Sequence, residues 1–371
     1  MAGLYVHIPF CKQRCRYCDF FSTTLLERRE EYVQAVLEEI RQRRNEAHEP
    51  IRTIYFGGGT PSLLTPEQIA AILQAIGTQD AIEITLEANP GDLTPEYLRS
   101  IRQAGINRIS IGIQSFQDRL LTLIGRRHNA EQAIDAVQMA QKAGFDNISI
   151  DLMYGLPTQT MDQWQADISR ALLLNIQHLS CYCLSYEEGT PLTRSRDEGQ
   201  ITETDEDTEN AMYDTLCESL QEAGFVHYEV SNFALPGYEA KHNSSYWNNT
   251  PYIGIGAGAH SYLGRTRSWN PNDLNAYIQG IMAHDLQREQ EILTDKDLYN
   301  EKIMLGLRTN KGIKVNELLS GLSREQIESI SREYREMVRF KLLEETLDGK
   351  LVATRKGLHV LNCIIENLMI E

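Results

Sequence analysis

Short apolar, β-branched runs alternate with stretches whose apolar residues recur every three or four positions, a rhythm that repeats through roughly the first 230 residues. The runs predict strands at 4–8, 52–56, 82–87, 107–111, 147–152 and 178–184, with a further one at 226–230. The stretches between them predict helices at 29–44, 66–76, 95–104, 131–143, 162–174 and 205–223. Thr65-Pro66-Glu67 and Thr94-Pro95-Glu96 each place a capping hydroxyl before a proline at the first helical position. Gly105 and Gly144 stand where a helix end calls for the left-handed conformation. Strands alternating with helices of this length mean βα units, a parallel sheet and an α/β fold. Periodicity alone leaves a partial barrel and an open doubly wound sheet equally available.

After Pro236 the rhythm breaks, so residues 1–235 are expected to form one unit. Residues 236–270 are rich in Gly, Asn, Tyr, Trp and Ser and predict long irregular segments, within a connector spanning 236–290. From there the pattern is helical at 298–307, 315–319 and 324–340, followed by runs at 342–347 and 350–354 flanking Asp348-Gly349, a two-residue hairpin signal. Helices followed by a hairpin predict a small winged-helix-like C-terminal domain over 291–371.

The 371 residues carry a net charge of −16, which argues against nonspecific attraction to nucleic acid or anionic lipid. The N-terminal segment has no basic stretch followed by an apolar run, and no stretch is long and apolar enough to span a bilayer. A cytoplasmic location is therefore expected. Of seven cysteines, three fall within eight residues, which suggests metal ligation more than disulfides.

Those three, Cys11-x3-Cys15-x2-Cys18, follow the first predicted strand. Three thiolates on one loop can hold three corners of a cubane cluster and leave the fourth iron open to a small molecule. Zinc is the competing reading, with His7 as a fourth donor, but structural zinc favours closed sets of four built on C-x2-C pairs. Polar or glycine residues recur at the ends of successive strands: Gly58, Gly59 and Thr60 after the second, Glu87 at the third, Gln114 and Arg126 after the fourth, Asp151 at the fifth. Singly each reads as a solvated loop residue or a cap. Together they mark the C-terminal face where parallel barrels build their sites.

With Tyr17 before the third cysteine, the Cys11–Cys18 motif resembles that of the radical-SAM superfamily. The resemblance implies a partial (β/α)6 barrel, a [4Fe–4S] cluster on Cys11, Cys15 and Cys18, and S-adenosylmethionine chelated to the open iron. From Tyr5 to beyond His260 the order of motifs resembles the HemN-like coproporphyrinogen dehydrogenase branch. That likeness implies Tyr5, Gly58, Gly59, Thr60, Glu87, Gln114, Arg126 and Asp151 as S-adenosylmethionine ligands.

Two departures weigh against the decarboxylase: Phe20 stands where that branch has a further cysteine, and Cys11 lies close to the start of the chain. Both are similar to the HemW-type heme chaperones. The segment His242-Asn243-x-x-Tyr246-Trp247 also matches a signature associated with heme in that group. Physically, an imidazole can ligate iron and two aromatics can cover a macrocycle. The plainer reading is a buried aromatic loop with a hydrogen-bonded histidine.

The expected function is that of a heme carrier delivering to acceptor proteins, which the resemblance suggests are membrane-associated respiratory enzymes met at the inner face of the membrane. Coproporphyrinogen oxidation is the alternative. Cleavage of S-adenosylmethionine and a homodimer are left open, and no nucleic-acid partner is expected. Cys181 and Cys183 are expected to pack within a buried strand, Cys217 and Cys363 to be small core residues, and Gly254–His260 to pack tightly near the site, with His260 a secondary heme candidate.

Overall fold

The computed structural model describes residues 2–43, 45–46 and 49–370; Arg44, the predicted end of the first helix, lies outside them. Six strands carry the predicted rhythm: β1 (Ala2–Ile8), β2 (Ile51–Gly58), β3 (Glu83–Ala88), β4 (Arg108–Gln114), β5 (Ile148–Tyr154) and β6 (His178–Cys183). The helices are α1 (Arg29–Arg43), α2 (Pro66–Ile76), α3 (Pro95–Ala104), α4 (Asp118–Leu123), α5 (Ala130–Lys142), α6 (Met161–Leu173), α7 (Pro191–Asp197) and α8 (Glu206–Glu222). The short α4 and α7 had no periodic signal. Local chemistry sets the boundaries as expected: Thr65 completes a capping box with Gln68, Thr94 accepts from the Tyr97 amide, and Gly105 takes φ 118°.

β1 to β6 pair in chain order and in parallel. The sheet continues past both ends. Beyond β6 lie β7 (Val226–Glu229) and β8 (Asn232–Ala234), antiparallel. Beyond β1 lie β9 (Tyr252–Ile255), parallel to it, then the antiparallel β10 (His260–Leu263), β11 (Thr266–Trp269) and β12 (Glu289–Ile292). The result is one twelve-stranded sheet ordered β12-β11-β10-β9-β1-β2-β3-β4-β5-β6-β8-β7, an open barrel whose end strands are not paired to each other among the described residues. Residues 236–270, expected to be irregular, thus supply three strands as well as α9 (Lys241–Trp247), and α10 (Leu274–Met282) follows. Strands of four residues separated by left-handed glycines at Gly256, Gly258 and Gly264 are too short to show a period of two.

Side chains alternate across each strand. Ile54 and Phe56 of β2, Ile84 and Leu86 of β3, and Ile109 and Ile111 of β4 are fully or nearly fully buried in one large core under the helices. The other register, Thr53, Tyr55, Glu87, Ser110 and Asp151, is polar, and its members hydrogen-bond with one another or with groups above and below. Apolar residues therefore face the helix layer and polar residues face the barrel interior, which makes the interior a site.

The C-terminal region has its own apolar core, including Ile303, Leu318, Ile330, Leu351 and Ile365. Its elements run α11 (Asp295–Leu307), β13 (Ile313–Lys314), α12 (Val315–Leu318), α13 (Arg324–Arg339), β14 (Leu343–Glu345), β15 (Lys350–Ala353), α14 (Arg355–His359) and α15 (Leu361–Leu368). It joins the barrel through backbone bonds from Val230 N to Arg308 O (3.1 Å) and from Asn310 N to Tyr228 O (3.1 Å). His359 also bonds Asn210 and Asp214 of α8. Cys217 is buried as expected, but Cys363 is exposed: a cysteine in an amphipathic helix reads as core until its face is known.

Candidate functional site: the mouth of the barrel

The loop after β1 is closed at its base by two backbone bonds, Cys11 N to Thr23 O (2.9 Å) and Thr23 N to Pro9 O (2.7 Å). Its middle is stitched to neighbouring elements through Arg16. The Arg16 amide donates to Ile124 O, its carbonyl accepts from Leu192 N, and its guanidinium donates to Leu123 O (3.2 Å) and Ser195 Oγ (2.6 Å). Cys11 is buried, and Cys15 and Cys18 are half-buried.

All three cysteines line a cavity of about 420 Å3 at the C-terminal ends of the parallel strands. Gly58, Gly59, Thr60, Glu87, Gln114, Arg126 and Asp151 line the same cavity. Thr60 Oγ1 donates to Cys11 Sγ (3.5 Å), and Arg126 Nη1 donates to Cys15 Sγ (3.4 Å) while its other terminal nitrogen bonds Gly112 O. Arg126 Nε is buried with no partner, an unmet donor at the wall.

Gly58 takes φ 111°, and a Cβ there would lie 2.5 Å from the His7 ring; one on Gly59 would lie 2.8 Å from Phe10 O. The glycine run is thus a bare backbone cradle that no side chain could fill. Gln114 itself takes φ 73°, a strained conformation for a residue with a Cβ and a common companion of function.

Glu87 accepts from Tyr55 OH (2.7 Å) and from Gly58 N (3.2 Å). Burial pushes its carboxyl up to about 7 despite the Tyr55 bond, and the nearby Asp151 raises it further. Burial likewise lifts Asp151 to about 6, against the hydroxyls of Ser180 and Ser110. Two carboxyls held this way favour a cationic guest.

Tyr5 is not on the cavity wall. Its hydroxyl bonds His7 Nδ1 (3.0 Å), and His7 Nε2 bonds Phe21 O (3.0 Å). A carbonyl can only accept, so Nε2 carries the proton and Nδ1 accepts from Tyr5. Burial lowers His7 to about 4, which keeps it neutral. His7 therefore ties β1 to the far end of the cysteine loop.

His242, Tyr246 and Trp247 are elsewhere. Helix α9 plugs the opposite end of the barrel, where the carboxylate of Glu83, the first residue of β3, accepts from the Lys241 and His242 amides (3.0 and 2.8 Å). His242 is fully buried and stacks on Tyr55 at 5.2 Å. Its ring nitrogens bond Thr53 Oγ1 (2.9 Å) and Tyr246 OH (2.8 Å), and burial lowers its pKa to about 3. To reach an iron, this imidazole would have to give up one of those bonds. Trp247 instead lines a second cleft, between α9 and the C-terminal region. His260 is exposed and stacks on Trp269 at 5.6 Å. Cys181 is buried, while Cys183 reaches the mouth of the cysteine-lined cavity.

Sequence reasoning missed Tyr55, weighed His7 only as a fourth zinc donor, and missed Arg16 and Tyr182, the latter a lining residue of the same cavity. The first two were discernible from the period of two, because Tyr5 and His7 share one face of β1 as Thr53 and Tyr55 share one face of β2.

The donor set suits a cluster. Three thiols on one loop, flanked by Thr60 and Arg126 as donors to sulfur, match cubane ligation. Among the described residues no three His, Cys, Asp or Glu side chains are gathered closely enough to share a single metal ion. A cluster does not require that, since each thiolate takes its own iron. The glycine cradle, the raised carboxyls and the unmet Arg126 donor suit a small molecule with a cationic amine and a carboxylate.

A radical SAM superfamily model matches residues 5–171. Escherichia coli coproporphyrinogen III oxidase, HemN, a radical SAM enzyme, shares the fold at TM-score 0.84 and 22% identity, covering 99% of this chain and 90% of that one. The open barrel with its cysteine-lined mouth defines a radical SAM protein. The heme chaperone HemW of Lactococcus lactis is 36% identical over 99% of this chain and 97% of its own length. That of Bacillus subtilis is 37% identical over 84% and 85%. The chain belongs to the HemW family of radical SAM proteins.

Proposed function

We propose that the chain is a heme chaperone: it takes up heme and hands it to acceptor proteins, with a [4Fe–4S] cluster on Cys11, Cys15 and Cys18 and S-adenosylmethionine in the adjoining cavity. The observation that carries this reading is the near full-length identity to relatives named as heme chaperones, which spans both the cysteine loop and α9. Bound there, the cluster and S-adenosylmethionine supply an open iron and, on reduction, the means to cleave a sulfonium.

This chain's residues account for the rest. Glu87 and Asp151 attract the amine, the Gly58–Gly59 backbone and Thr60 flank the ligand, and Arg126 and Gln114 close the far wall. Tyr5 supports the floor through His7. The heme is assigned to the α9 region, around His242, Tyr246 and Trp247. No helix of the described residues is long and apolar enough to cross a membrane, in keeping with a cytoplasmic carrier that meets membrane-associated acceptors peripherally.

Anaerobic incubation of reconstituted protein with S-adenosylmethionine, a reductant and coproporphyrinogen III separates this reading from oxidative decarboxylation. No protoporphyrinogen is expected. Multiple turnovers would overturn the carrier in favour of the decarboxylase.

A further inference from the structure

A second cleft is larger than the cysteine-lined one. It measures about 810 Å3, against about 420 Å3 at the barrel mouth, and lies between α9, the end of β7, α11 and β13. Both volumes fall in the range of small-molecule sites. Trp247, Leu305 and Ile313 give the cleft apolar walls, and Lys241, Lys302 and Lys311 stand around it with two glutamates, Glu239 and Glu317. A local excess of lysine is notable in a chain of net charge −16. Glu317 is already engaged with Lys302 at 3.5 Å, and Lys241 and Lys311 are exposed.

We propose that this cleft seats the heme, with Trp247 against the macrocycle and Lys241 and Lys311 on its carboxylates, and that His242 is not the iron ligand. The inference rests on the heme-carrier reading and deepens it. The ligand chemistry is a flat apolar ring carrying two carboxylates along one edge, and the cleft offers an indole face and ammonium groups at its rim. His242 points the other way: both ring nitrogens are bonded inside the barrel and its face lies on Tyr55. The same helix thus presents its histidine to the barrel interior and its tryptophan to the cleft. Among the described residues no histidine, cysteine or methionine lines the cleft. A heme held by stacking and charge, without a soft protein ligand, is suited to release.

The test is an anaerobic titration of the full reconstituted chain with hemin and with hemin dimethyl ester, which lacks the carboxylates, followed by Soret absorbance. The variants are Lys241→Glu/Lys311→Glu, His242→Ala, and Lys142→Glu as a surface-charge control on α5. The double variant is expected to bind hemin at least tenfold more weakly, to bind the ester as wild type does, and to keep the cluster absorbance. His242→Ala and Lys142→Glu are expected to bind hemin nearly as wild type. Hemin binding lost in His242→Ala but retained in the double variant would overturn the site while leaving the carrier intact. Failure of wild type to bind hemin would overturn the carrier reading itself.

Discussion

At the scale of single residues, the raised carboxyl of Glu87 has a definite consequence for ligand binding. Its folded-state pKa, about 7, lies above the ordinary value, so it is charged above pH 7 and neutralised below. S-adenosylmethionine affinity, measured by calorimetry on reconstituted protein, is expected to fall as pH drops from 8 to 6. Glu87→Gln should flatten that dependence and weaken binding at pH 8 by about tenfold, the scale of one hydrogen bond to a charged group. A wild-type profile that is flat over this range would remove Glu87 from the site. Gly58→Ala is expected to destabilise the fold by about 1–3 kcal/mol, because its φ is positive and its new Cβ meets His7. Gly91→Ala, with only an ordinary contact to Asn89, should melt within a degree or two of wild type. The glycine run was discernible as a close approach, yet the clash that bars a side chain at Gly58 is with His7, which the sequence places about fifty residues away.

At the scale of elements, the cysteine loop depends on its neighbours. Arg16→Ala removes bonds to Leu123 O and Ser195 Oγ while leaving the main core untouched. Cluster retention under mild oxidation, read as iron content, is expected to drop several-fold, with thermal stability within about 1 kcal/mol of wild type. Equal iron content in the two proteins would deny Arg16 a positioning role. Trp164→Ala in the core under α6 should instead cost about 3–5 kcal/mol globally, since the indole is fully buried and bonds Met212 O. The six βα units were legible because strands of six to eight residues and capped helices each carry a period. β9 to β12 were not, because four residues carry none. α4 and α7, which hold the loop, escaped for the same reason, being six and seven residues long.

At the scale of the molecule, the cysteine-lined cavity lies at one end of the polar barrel interior, and α9, at the other end, separates that interior from the second cleft. Side chains connect α9 to the mouth from His242 through Tyr55 to Glu87. The strand-end residues named from sequence converge at the mouth because a parallel sheet brings its C-terminal ends together, and that much follows from fold class. The split of α9 between two compartments does not follow, since a seven-residue helix reveals its faces only when its neighbours are placed. The central claim is that this chain carries heme and delivers it. The most direct test loads reconstituted protein with one equivalent of hemin and mixes it with an apo-hemoprotein, following the acceptor's Soret band. Transfer of one equivalent at a rate that rises with acceptor concentration is expected, because delivery then passes through a complex. A rate independent of acceptor, set by hemin escaping to solvent, would contradict it.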